Sequence, residues 1–170
     1  MSWKNLSYAE VLSTVAEDMA IITIKEAAGH LTARDIINAN YGAPGDVYKK
    51  KFCEVWEVKK EFAWFPADKI YINKDFRKVL TVAFKKLHTR GQYIEIKKFD
   101  GCYNERLGRG LKLASLHSWA LAIDLNAATN PLAGKVTWST AFLDTMRECG
   151  IYCGADWKRK DGMHFAMFNG

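Results

Sequence analysis

Ser115-Leu-His117-Ser-Trp-Ala-Leu-Ala-Ile-Asp124, answered near the C-terminus by Asp161-Gly-Met-His164, is the stretch on which the reading of this chain turns. His117 and Asp124 are seven residues apart, and an odd separation in one straight strand would send their side chains to opposite faces. For the two to meet, the chain must turn between them. The sequence therefore places His117 in a loop, Ser118 to Ala120 in a bend, and Asp124 in a short buried strand from Leu121 to Leu125. Asp161 and His164 pose the same problem, which puts Asp161 in a turn and His164 at the start of a last strand within Met163 to Phe168. Asp124 is the most telling residue, because a carboxylate in so apolar a strand needs a partner.

Two histidines and a carboxylate form a nitrogen and oxygen donor set that suits Zn²⁺ and leaves a fourth position open, as a catalytic centre requires. The sequence thus offers His117, Asp124 and His164 as metal ligands, with Asp161 as general base and then general acid. Hydrolysis is the chemistry that such a set serves. Arg106 and Arg109, in the loop before His117, can neutralise a developing oxyanion or bind a substrate carboxylate, against the alternative of solvated loop arginines. Ser115 is either a loop cap or a substrate contact, and Trp157 either core or a binding platform. His88, in the last turn of an expected helix, and His30, at another helix end, are not expected to be ligands.

Working outward, Ser7-Tyr-Ala-Glu10 reads as a capping box opening a helix through Val11, Leu12, Val15 and Met19. Thr32-Ala-Arg-Asp35 can cap a shorter helix through Ile36 and Ile37, ended by the turn formers of Asn40-Tyr-Gly-Ala-Pro-Gly45. From Lys49 to Lys60 neither helical nor strand period wins, and the segment reads as a partly exposed basic face. Asn73 caps a helix whose Phe76, Val79, Leu80, Ala83, Phe84 and Leu87 share one face and which Gly91 can terminate. Tyr93 to Phe99 alternates as a half-buried strand, and Ser139 to Cys149 reads as a helix ended by Gly150. Helices early and motif-bearing strands late predict an α+β fold with a small, mainly antiparallel sheet. Residues 1–61 are expected to be a helical extension of the same domain or a small accessory region, and residues 62–170 the domain that carries the metal-ligand candidates.

The chain has 170 residues, 49% of them hydrophobic and 13% aromatic, enough to bury a substantial core and to exclude a disordered chain. Its net charge of +6 favours an anionic partner without naming one. Cys53, Cys102, Cys149 and Cys153 form no CxxC pair, so reduced, buried thiols are expected in place of a disulfide scaffold. The N-terminus lacks the apolar core of a signal peptide, and no run approaches the ~20 apolar residues of a membrane span. Synthesis in the cytoplasm without an export signal is expected.

Ser115-x-His117 with Ala122-x-Asp124, then Trp157 and Asp161-x-x-His164-Phe165, resemble in order and spacing the motifs of peptidase family M15, the zinc D,D- and L,D-peptidases. Gly101-Cys-Tyr-Asn-Glu-Arg106, Arg109-Gly110, Ser115-Leu-His-Ser-Trp119, Asp124-Leu-Asn126 and Asn130-Pro131 look especially like the phage-encoded branch that includes L-alanyl-D-glutamate endopeptidase endolysins. The similarity runs from about Phe62 to Phe168. It implies zinc on His117, Asp124 and His164, the catalytic carboxylate at Asp161, a stabilising arginine at Arg106, and the fold shared by D-Ala-D-Ala carboxypeptidases and the Hedgehog signalling domain. It further implies bacterial peptidoglycan as partner and action on the wall after release or as part of a virion; a monomer is expected, and no nucleic-acid partner, because net charge is the sole support for one. A D-Ala-D-Ala carboxypeptidase, or a wall-binding virion or tail component with little turnover, is the alternative. Two positions depart from the pattern: the glycine usual three residues after the first histidine is Ala120, and the acidic or polar residue often following His-Phe is Ala166. Ala120 is expected to be tolerated where its backbone is not left-handed.

Overall fold

A computed structural model describes residues 32–108 and 113–169, so the expected Ser7-Glu10 helix, His30 and Arg109 lie outside the described residues. Thr32 opens the first described helix, α1 (Ala33–Tyr41), with the reciprocal Thr32 and Asp35 capping bonds that its sequence predicts. Gly42, at φ 73°, closes it. Asn73 opens the long α4 (Lys74–Thr89), its Oδ1 accepting from the backbone N–H groups of Asp75 and Phe76. Ser139 caps α5 (Thr140–Glu148), and Gly150, at φ 74°, follows it.

The segment from Lys49 to Lys60 is not one exposed face. It contains the end of α2 (Asp46–Phe52), then β1 (Cys53–Trp56), and α3 (Val58–Glu61). Each element is too short to establish a period, and each buries only one or two side chains, among them Tyr48, Cys53, Trp56 and Val58. β1 pairs antiparallel with β2 (Ile70–Asn73), where Ile70 and Ile72 face the core. This hairpin joins residues on both sides of position 62, and Ile36 and Trp56 share one continuous core with Phe84 and Phe165. Phe84 is its hub: the Trp56 ring stacks on it at 5.9 Å, and Phe62, Trp64 and Phe65 pack around it.

The main sheet has four antiparallel strands in the order β3 (Phe99–Gly101), β4 (Ala122–Leu125), β6 (His164–Ala166) and β5 (Tyr152–Cys153). Together with the helices it forms the expected small α+β fold. The expected strand from Tyr93 to Phe99 is a correction. Gly91, at φ 69°, turns the chain into a 3₁₀ turn over Gln92–Glu95, leaving Ile94 59% exposed and Ile96 buried. The backbone donors of Lys97 and Lys98 go to the Asn126 side chain, while the Glu95 carboxylate accepts from the backbone and hydroxyl of Ser139. The alternating pattern thus serves side-chain bonds to two other segments and not a ladder. All four cysteines are free and buried, as expected, and burial raises each thiol.

Candidate metal centre

His117 sits in a 3₁₀ turn, Leu116–Trp119, and Asp124 within β4. The turn forms because Ser115, in extended conformation, caps it through Oγ, while Leu121 N–H reaches back to the Leu116 carbonyl. Ser115 is therefore a cap, 6% exposed, with its Oγ accepting from the His117 backbone N–H. Ala120 ends the turn at φ 49° and ψ 34°, so the condition under which this alanine should be harmless is not met. A residue with a Cβ spends about 1–2 kcal/mol in this left-handed conformation, which glycine enters freely.

The sheet register supplies the rest. Asp124 and His164 are directly opposed across β4 and β6, so their side chains emerge on one face. His117 Nε2, Asp124 Oδ1 and His164 Nδ1 then meet in a triangle with all three sides 3.2 Å. Ligand atoms around a tetrahedral ion bonded at about 2.0–2.1 Å lie roughly 3.3–3.4 Å apart, so the spacing fits Zn²⁺. The donor chemistry fits as well. Two imidazole nitrogens turned toward each other and toward one carboxylate oxygen, with side chains only 3%, 15% and 8% exposed in the order His117, Asp124 and His164, concentrate lone pairs that a divalent cation would satisfy. Among the described residues this is the cluster of histidine and acidic groups arranged to hold a metal.

Neighbouring groups fix the donors. His117 Nδ1 lies 2.6 Å from the Cys102 carbonyl, which accepts its proton and leaves Nε2 as the free donor. Cys102 contributes this carbonyl and not its sulfur, because burial pushes its thiol well up and keeps it protonated. Burial also pushes the Asp124 carboxyl up, but hydrogen bonds and charge from His117 and His164 more than reverse this and hold it well below the usual carboxylate range. The Trp157 ring lies 5.2 Å from that of His164 and is partly exposed, with its N–H on Asn169 Oδ1.

Asp161 lies one backbone hydrogen bond from the centre: its carbonyl accepts from His164 N–H at 3.0 Å, and its own N–H donates to Gly154 at 2.9 Å. It stands in a turn bridged to Leu132, as its spacing predicts, and its Oδ1 is shielded from solvent. A Cβ on Gly154 would stand 2.3 Å from the Asp161 carbonyl oxygen, so the side-chain-free backbone at Gly154 is what lets Asp161 approach. The Arg106 backbone is anchored by Ser118 Oγ and Ser115, while its guanidinium donates to the adjacent Leu107 carbonyl. Sequence reasoning missed Cys102 and Gly154. Only the Gly154 break between Cys153 and Ala155 carries a sequence signal, whereas a supporting carbonyl carries none.

The α+β frame thus carries a candidate metal centre of two histidines and one carboxylate. A family model described as D-alanyl-D-alanine carboxypeptidase matches residues 109–167, the segment that holds His117, Asp124, Asp161 and His164, and supports a peptidase of family M15. Curated proteins and solved structures give no match to the chain. No helix among the described residues is long and apolar enough to cross a membrane.

Proposed function

We propose that the protein is a zinc-dependent peptidoglycan peptidase that cuts the stem peptide between L-alanine and D-glutamate, in the manner of a phage endolysin. The observation that carries this reading is the triangle of His117, Asp124 and His164 with Asp161 one hydrogen bond away. His117 Nε2, Asp124 Oδ1 and His164 Nδ1 would hold the ion. Bound there, Zn²⁺ supplies Lewis acidity toward a carbonyl and acidifies water.

The remaining work falls to the chain's own side chains. Asp161 takes a proton from the attacking water and returns it to the leaving nitrogen as the amide C–N bond breaks. Arg106 leaves the Leu107 carbonyl to meet the negative charge growing on the scissile carbonyl oxygen, and Arg109 is the second cation for that role or for a substrate carboxylate. Trp157, partly exposed beside His164, serves as an apolar wall for the substrate, and Ser115 acts through the turn it caps. Residues 32–61 belong to the peptidase domain, a reading supported by the shared core and the hairpin across position 62.

A D-Ala-D-Ala carboxypeptidase is the second reading, and the description of the matching family model favours it. The same metal centre serves both, since bond choice lies in pocket shape. Mass spectrometry of fragments released from purified peptidoglycan separates them, run beside chelated protein and Asp161→Ala. New L-alanine C-termini with new D-glutamate N-termini, absent in both controls, are expected. Release of terminal D-alanine alone would select the carboxypeptidase, and wall binding without fragments would select a structural role.

A further inference from the structure

The turn that carries His117 is gripped by residues far outside the family-matched segment. Tyr48, 3% exposed on α2, donates its hydroxyl to the Trp119 carbonyl. The Tyr48 hydroxyl oxygen in turn accepts from Asn73 Nδ2 at 2.7 Å. Asn73, fully buried, also donates its backbone N–H to the Ala120 carbonyl at 3.2 Å. The Trp119 indole N–H closes the arrangement on the Gly42 carbonyl at 2.8 Å, with the Arg34 guanidinium over its ring. Two successive carbonyls, at Trp119 and at the left-handed Ala120, are therefore held by groups from residues 48 and 73.

Asn73 is the telling member. As a helix cap its Oδ1 could be replaced by the oxygen of Ser, Thr or Asp. An amide reaching Tyr48 from the same side chain cannot, so this position couples the start of α4 to the turn. The geometry points to Tyr48, Asn73 and Trp119 as a buried polar brace of positioning residues, holding the strained His117 turn in the shape that presents Nε2 to the metal. This rests on the reading that His117, Asp124 and His164 bind Zn²⁺. Its logic is that a turn ending in left-handed Ala120 relaxes when released, and three donor atoms set 3.2 Å apart tolerate little rotation of one of them.

The test measures Zn²⁺ affinity by competition with a chromophoric chelator, alongside thermal stability, in the full chain. Tyr48→Phe keeps the ring and removes the hydroxyl, and it is expected to weaken Zn²⁺ binding about tenfold, the low end for support of a metal ligand. Asn73→Ser, which keeps a cap and loses the amide, reads the same quantity if Tyr48→Phe fails to fold. Ile37→Val, a core change in α1 that adds and removes no polar group, is expected to lower stability with the affinity unchanged. Adding Ala120→Gly to Tyr48→Phe relieves the strain and is expected to restore most of the affinity. Wild-type affinity in both brace variants, equal loss in Ile37→Val, or no rescue by Ala120→Gly overturns the brace. Absence of Zn²⁺ binding in the wild-type protein overturns the metal reading along with it.

Discussion

Residues 113–169 and residues 32–73 are built from elements of similar length, yet they direct their polar side chains differently. In the first region His117, Asp124 and His164 aim their donor atoms at one another, and their supports are chiefly backbone groups such as the Cys102 carbonyl. In the second, Tyr48 aims its hydroxyl at the backbone of the turn in the first, while the Asn73 side chain supports that hydroxyl and its backbone N–H reaches the same turn. Candidate metal-ligand atoms and the groups that bond to their turn thus sit in separate stretches of chain. A family pattern drawn on the reactive stretch alone does not describe the whole site.

The largest effects should separate the regions by kind. His117→Ala should abolish stoichiometric Zn²⁺ binding and lower peptidase activity by about three orders of magnitude or more, read by metal analysis and fragment release. Asp161→Asn should keep the metal and lose about 10²–10⁴-fold in kcat. If Asp161→Asn also lost the metal, its role would move from proton transfer to ligation.

Phe84→Ala tests the core that both regions share. It should cost about 3–5 kcal/mol in urea denaturation, with a single transition followed by fluorescence of tryptophans from both sides of position 62. Two separate transitions would divide the regions into independent units. Gly154→Ala probes the approach of Asp161. The added Cβ, 2.3 Å from the Asp161 oxygen, should displace that residue, costing about 1–3 kcal/mol and up to about 10²-fold in kcat with zinc content retained.

The smallest effect is one of pH. Desolvation by burial, the largest influence on the Tyr48 phenol, raises it far above its ordinary value. Its contribution to stability is therefore fully present below about pH 10, where unfolded tyrosine is still protonated, and declines at higher pH at up to about 1.4 kcal/mol per unit. Urea titrations between pH 9 and 11 should show a shallower decline for Tyr48→Phe than for the wild type. Equal slopes would remove Tyr48 from the linkage.

Much was legible in the chain itself. Capping chemistry is local, so Thr32, Asn73 and Ser139 announced three helices, and Gly42, Gly91 and Gly150 marked turns at or near helix ends with positive φ. The odd spacing of His117 and Asp124 required a turn between them, and the turn is there. The three short elements between Asp46 and Glu61 were not legible, because a period needs more residues than each possesses. Nor was the fate of Tyr93 to Phe99, whose alternation was taken up by Asn126 and Ser139.

The sequence by itself determined which residues could act as donors, because side-chain chemistry is carried by each residue alone. Only the tertiary structure decided that Asp124 stands opposite His164, that His117 Nδ1 is occupied by Cys102, and that Ala120 is left-handed. Those facts depend on strand register and on backbone groups, which every residue possesses and no side-chain pattern encodes. Tyr48 and Asn73 act on a turn 71 and 47 residues further along the chain, a distance that only folding closes.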